Sequence, residues 1–169
     1  MPIRLSSRPV AVRRIEDAAC ALLDAAPLCA ISTISPRGTS YISTAYFAWG
    51  QQFELVWLSS PSARHSRNIG ARPTTAVAVY DAGQRWGEPD RGIQLFGSSR
   101  RLPPANAREA EEWYARRFPT YEPAGRGDYA FYRFHSERLK VFDETLLGGG
   151  TFVTARIGRG GRLTWEMTE

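Results

Sequence analysis

The chain has 169 residues and a mass of 18.9 kDa, with 22 Lys and Arg against 17 Asp and Glu, a formal charge of +5 and a pI near 9.6. That length suits one domain, and 43% hydrophobic residues exclude a disordered or collagen-like chain. All but one of the 22 basic residues are arginine, Lys140 being the exception. Arginine's planar fork matches phosphates and carboxylates, so an anionic partner is expected.

No apolar run reaches the roughly 18 residues that span a bilayer, so no membrane partner is expected. The start, Met1-Pro2-Ile3-Arg4-Leu5, lacks the apolar stretch of a secretion signal. Cys20 and Cys29 lie too far apart for a zinc pair or a CxxC redox pair. A cytoplasmic protein with reduced thiols and no metal site is the expectation.

In chain order, residues 9–26 read as a helix, with Val12, Ile15, Ala19, Leu22 and Leu23 at helical spacing and Pro27 as the stop. LCAISTI (28–34) is a strand by length and β-branching, and Ser35-Pro36-Arg37-Gly38 is turn chemistry. SYISTAYFAW (40–49) and FELVWLS (53–59) continue a meander around a turn at 50–52. A short helix is expected from Ser60 as N-cap and Pro61 as first residue to Ile69, ending at Gly70. TTAVAVY (74–80) is a strand, 81–92 a long loop around Trp86, and 93–102 a strand with Gly97 as a bulge or close approach.

Asn106 caps an expected helix at 107–118, stopped by Pro119. Strands follow at 129–134, 139–142 and 151–156, with a glycine run at 148–150 and a turn at 158–161 that leads into Leu163-Thr164-Trp165. The sum is a mainly β chain of seven or eight antiparallel strands with three marginal helices. So many strands in one small domain favour a closed or nearly closed barrel. The expected organisation is a single domain: helix 1–27, barrel core 28–143 and a C-terminal extension 144–169.

The segment Ser59-Ser60-Pro61-Ser62-Ala63-Arg64-His65 joins a strand to a helix start, where free N–H groups and the helix dipole favour an anion. Arg64 can take a phosphate bidentately, and Ser59, Ser60 and Ser62 can donate to it. Against this stands a plain surface helix with solvated arginines.

With LCAISTISPRGTSYISTAYFAW (28–49), LVWLSSPSARHSRNI (55–69) and GIQLFGSSRRL (92–102), the chain resembles the pyridoxamine 5′-phosphate oxidase-like, FMN-binding split-barrel superfamily. YARRFP (114–119) and LKVFDETLLGGG (139–150) are similar to an uncharacterised branch of it. The resemblance implies an antiparallel split β-barrel and FMN as cofactor. It places the isoalloxazine ring along Ser43, Thr44, Ala45 and Tyr46, largely through backbone. Ser59 and Ser60 then stand near the ribityl chain or phosphate, Arg64 and His65 on the phosphate, and Gln94 facing the ring. A homodimer with the flavin at its interface is implied as well.

The departures are specific. His65 stands where the superfamily has a phosphate-binding lysine, Ser43 where the oxidase has an arginine, and no RLHDR motif follows Phe142. Oxidation of pyridoxamine phosphate itself is therefore not expected. What the resemblance implies is an FMN-dependent oxidoreductase passing a hydride to or from a small molecule, with no acid–base residue singled out. The Trp86 loop and residues 145–154 are expected to close over that substrate. The alternatives are a non-catalytic flavin or haem module, a deazaflavin-dependent reductase and a cofactorless barrel. His135, at a strand end, reads as a surface histidine, and Asp143-Glu144, adjacent on a strand, would face opposite ways. No basic stripe interleaved with aromatics appears, so no nucleic-acid partner is expected.

Overall fold

The computed structural model describes residues 8–169, apart from the side chain of Arg126. Residues 1–7, on which the reading of the chain's start falls, lie outside this range. Helix α1 (Val12–Ala25) precedes strands β1 (Leu28–Ile34), β2 (Ser40–Trp49) and β3 (Leu55–Ser59). Helix α2 (Arg64–Ala71), strands β4 (Thr74–Tyr80) and β5 (Arg91–Arg101), and helix α3 (Arg108–Arg117) follow. Strands β6 (Ala130–Asp143), β7 (Phe152–Ile157) and β8 (Leu163–Thr168) complete the fold.

The strands form one sheet in the order β3-β2-β1-β4-β5-β6-β7-β8, every neighbouring pair antiparallel, and an added β3–β6 pairing closes the first six into a barrel. This is the mainly β antiparallel barrel with three flanking helices that the strand pattern implies, and the split barrel that the resemblance implies, extended by the β7–β8 hairpin. Alternation along each strand sends Ile31, Leu55, Trp57, Val77, Val79, Ile93, Leu95, Phe134, Leu139 and Val141 into one core. Helix α1 adds Ile15, Ala18, Ala19, Leu22 and Leu23 to it, the stripe that helical spacing foretells. A smaller cluster under α3 joins Ala107 and Ala110 to Ala48, Val56, Leu102 and Phe131.

Four local expectations are corrected. Phe53 is not a strand residue: Gln52 and Phe53 have φ of 64° and 56° in a short 3-10 turn. The glycine turn at 158–161 nests against that turn, so closely that a Cβ on Gly161 would stand 2.8 Å from Gln52 Cα. The helix after β3 starts at Arg64 with Ala63 as N-cap, not at Pro61 with Ser60 as cap. Ser60 instead closes a turn, its carbonyl accepting from Ala63 N at 3.0 Å and its Oγ from Ser62 N at 3.2 Å. The helix then runs through Gly70 to Ala71. The third helix begins one residue later than Asn106 suggests, at Arg108 with Ala107 as N-cap, because Pro104–Asn106 forms its own 3-10 turn.

The fourth correction is the largest. The expected strands at 129–134 and 139–142 are one 14-residue strand, β6. Ser136 and Glu137 look like turn residues, yet Ser136 is buried and its Oγ donates to Phe53 O at 2.5 Å. A bulge between Phe96 and Gly97 carries the long β5–β6 pairing past this point. Gly97 is the close approach foreseen, since a Cβ there would meet His135 O at 1.9 Å.

Candidate functional site

The barrel is open along one seam. Strand β3 pairs with β2 only from Phe47↔Trp57 to Trp49↔Leu55, while β2 pairs with β1 along its whole first part, Ser40 to Tyr46. Extending the β2–β3 register two residues would set Ser59 opposite Ala45, but the strands have parted there. Phe47 N donates to Pro27 O on the β1 side at 3.2 Å. By the alternation of an antiparallel ladder, Ser43 and Ala45 also turn their backbone groups to β1, and Thr44 and Tyr46 turn theirs to the open seam. Side chains alternate too. Ala45 packs on the core, whereas Ile42, Thr44 and Tyr46 lie on the exposed outer face.

Across the seam stands the start of α2. Its N-cap, Ala63, is extended and provides no side-chain cap, so the first helical N–H groups face outward unsatisfied by a side chain. Arg64 is exposed at this end, its Nη1 donating to Tyr41 OH at 3.2 Å and its guanidinium 5.0 Å from the Tyr41 ring centre. His65 Nε2 is 2.7 Å from Ser59 Oγ, and partial burial holds the imidazole below its ordinary pKa. At neutral pH His65 is therefore uncharged, and Arg64 carries the positive charge at this helix start. Ser60 and Ser62 bond to each other, Oγ to Oγ, at 2.8 Å. Beneath the helix, buried Asn68 Nδ2 donates to buried Thr33 Oγ1 at 3.0 Å and pins α2 to β1.

The fold thus gathers Thr44, Tyr46, Ser59, Ser60, Arg64 and His65 along one seam. Ser43 and Ala45 belong to the same strand but face inward. Gln94 is not brought there. It lies exposed on β5, in the outer-face row Thr44–Ala30–Ala78–Gln94, three strands and about 14 Å from Thr44. Sequence reading missed Tyr41, which orients Arg64, and the Thr33–Asn68 pair. Both contacts join residues far apart in the chain, which no local pattern encodes.

The Trp86 loop and the segment after β6 do lie together. They line a cavity of about 480 Å³ with Asp81, Arg85, Asp90, Thr145 and Leu146. Glu144 N donates to Asp90 O at 3.0 Å, and Asp90 N to Glu144 Oε2 at 3.4 Å. This cavity is at the Tyr80 end of β4, the opposite end from α2, and Trp86 itself is fully exposed. Asp143 and Glu144 pin loops, Asp143 Oδ1 accepting from Leu146 N and Glu144 Oε1 from Gly150 N. Among the described residues no cluster of His, Cys, Asp and Glu could hold a metal ion, and no helix is long and apolar enough to cross a membrane.

The residues of the seam suit a phosphorylated planar cofactor such as FMN. Free backbone groups on β2 match a heteroaromatic edge, and an uncapped helix start with one arginine matches a phosphate.

Three comparisons bear on this arrangement. No curated protein matches the chain. Among solved structures, a protein of unknown function from Agrobacterium tumefaciens is 20% identical with a TM-score of 0.64, over 81% of this chain and 60% of that one. The chain therefore spans less than two thirds of that relative. HutZ, a haem storage protein from Vibrio cholerae, is 16% identical with a TM-score of 0.66, over 77% of this chain and 94% of that one. A Clostridium acetobutylicum protein related to general stress protein 26, of the pyridoxinephosphate oxidase family, is 15% identical with a TM-score of 0.64, over 88% and 97%. At these identities the likeness speaks for the fold. The family model described as pyridoxamine 5′-phosphate oxidase matches residues 15–142, from α1 to the end of β6. With that match and a closed six-stranded barrel split beside α2, the chain belongs to the pyridoxamine 5′-phosphate oxidase-like split-barrel superfamily.

Proposed function

We propose that this split barrel is an FMN-dependent oxidoreductase acting on a small molecule. The observation that carries the reading is the seam itself, an unpaired strand edge that runs to an uncapped, arginine-bearing helix start. Bound there, FMN supplies a ring that accepts or delivers a hydride. The N–H groups at the start of α2 and the Arg64 guanidinium hold the phosphate. Tyr41 keeps Arg64 on that side of the seam. Ser59, paired with neutral His65, offers a hydroxyl to the ribityl chain or phosphate. The backbone of Thr44 and Tyr46 bonds the ring edge, and Ser43 and Ala45 support that edge from within.

Gln94, about 14 Å away across the sheet, reaches a ring only from a second copy of the chain. A homodimer is therefore part of the proposal. It is supported by the outer face of β2, β1, β4 and β5, where Ile42, Tyr46, Leu28, Tyr80 and Phe96 are all exposed.

Titration of the purified protein with FMN tests the reading. The expected result is a shifted flavin spectrum at micromolar protein and at least about tenfold weaker binding in Arg64→Ala. Colourless protein that leaves the FMN spectrum unmoved overturns it. A haem module is the second reading, favoured by likeness to the Vibrio haem storage protein. It predicts a Soret band on haem addition that is lost in His65→Ala or His135→Ala. A deazaflavin added in the same series separates the remaining alternative.

A further inference from the structure

Three strands bring residues 54, 98 and 135 into one row on the outside of the barrel. Ser98 of β5 stands directly opposite His135 of β6. Leu55 of β3 stands opposite Phe134, which sets Glu54 beside His135 on its other flank. Residues directly opposed in antiparallel strands have Cα atoms about 4.5–5.5 Å apart and side chains on one face.

His135 Nδ1 lies 3.1 Å from Glu54 Oε1. A carboxylate only accepts, so Nδ1 donates to Glu54 and Nε2 is turned to the other side of the ring. Glu54 is held in turn: Oε2 is 3.4 Å from Arg133 Nη1, and Arg133 Nη2 is 2.7 Å from Glu109 Oε2. The side chains of Glu54 and Arg133 are 18% and 15% exposed, while that of His135 is 54% exposed. The support is partly buried and the base is presented at the surface.

The row opens on a cavity of about 340 Å³, lined by Glu54, Ser98, Ser99, Arg100, Arg133 and His135 among others. On the far side of Ser98 is a second hollow, of about 490 Å³, walled in part by Phe96 and Ile157. Ser98 borders both. The bulge lies beside this row: opposite Phe96 and Gly97, β6 carries the extra residue Glu137, two positions from His135, and bulges re-aim nearby side chains. A separate observation marks the first cavity: Arg133 Nε, on a residue that lines it, is buried without a hydrogen-bond partner. A surface salt-bridge network alone does not call for such an atom.

We infer that this groove is a second site, hydrolysing small carboxylic esters, with Ser98 as nucleophile, His135 as general base and Glu54 as positioning residue. Ser98 Oγ attacks the ester carbonyl, and His135 Nε2 takes the hydroxyl proton. The carbonyl–alkoxy bond breaks, and that proton leaves with the alcohol. Water, activated by the same nitrogen, then releases the acid from Ser98. Arg100, two residues along the same face, donates to the oxyanion, and the Phe96–Ile157 hollow takes a short acyl chain. No residue of the β2–α2 seam takes part, and only Phe96 is shared with the face proposed for the dimer, so ester hydrolysis and FMN binding are read separately.

The experiment uses the full chain with p-nitrophenyl butyrate as substrate and a fluorophosphonate probe read by peptide mass. The expected result is a label on Ser98. Ser98→Ala and His135→Ala should each lower kcat/KM about 100-fold, with the folded circular dichroism spectrum kept. Glu54→Gln should lower kcat about tenfold with KM unchanged, as a lost orienting contact does and a loosened groove does not. FMN titration should not change in Ser98→Ala. A label that falls elsewhere, or Ser98→Ala hydrolysing as fast as the parent, overturns the inference.

Discussion

Arg64 and His65 are neighbours with opposite fates. Arg64 points to solvent and leans on Tyr41, while His65 turns inward to Ser59 and loses its charge to burial. The superfamily's lysine position has thus become a neutral hydrogen-bonding one. Replacing it should add a charge next to any bound phosphate. His65→Lys is expected to tighten FMN binding about tenfold, with a steeper loss of affinity as salt rises, measured by fluorescence titration. The same residue makes stability pH-dependent. Its folded pKa lies below the ordinary 6.5, so the unfolded chain binds the proton first. The stabilising effect is full above pH 6.5 and is lost as pH falls through the folded value. Chemical denaturation at pH 7.5 and pH 5.5 should show the parent losing more stability than His65→Gln.

At the scale of elements, two features decide how the barrel stands beside its seam. Arg117 at the end of α3 donates to Leu23 O and Ala26 O at 2.7 and 2.6 Å, and its guanidinium lies 4.6 Å from the Phe47 ring centre. It closes the C-terminus of α1, where carbonyls lack helical partners and the dipole favours a cation. Arg117→Ala should cost about 2 kcal/mol and lower Tm by about 4–8 °C. Arg117→Lys should recover only part of that, since an ammonium lacks the planar face that lies over Phe47. The second feature is Gly97, where β5 crosses β6 at the bulge. Gly97→Ala pushes a methyl into His135 O, a backbone atom that cannot yield. A loss of about 3 kcal/mol or more is expected, read from the same denaturation curves.

For the molecule as a whole, the outer face of β2-β1-β4-β5 is the feature a single copy leaves unfinished. Ile42 is 75% exposed and Tyr46 57%, on strands whose other face is core. Ile42→Asp with Tyr46→Asp should turn the proposed homodimer into a monomer, read by sedimentation. It should also weaken FMN binding, because Gln94 is then out of reach of the seam. Dimeric behaviour unchanged by the pair would remove the partner copy from the site.

The alternation of LCAISTI and TTAVAVY, the proline stops and the glycine turns all act between near neighbours, so the type and most bounds of the strands were legible in the sequence. So was a short helix carrying Arg64 after β3, though not its first residue, because strand, hydroxyls and arginine follow one another directly. The single long strand β6 was not, since Ser136 and Glu137 look like turn residues until Phe53 O, 83 residues away, accepts the serine hydroxyl. The sequence by itself determined which residues are apolar in which period, and hence a small antiparallel barrel with an arginine at a helix start. Only the tertiary structure decided that β3 leaves β2 at Phe47, that His65 is neutral, that Gln94 lies three strands away, and that Ser98, His135 and Glu54 share a row. These depend on register and burial between distant segments, which hydrophobic pattern permits in many ways and packing resolves to one.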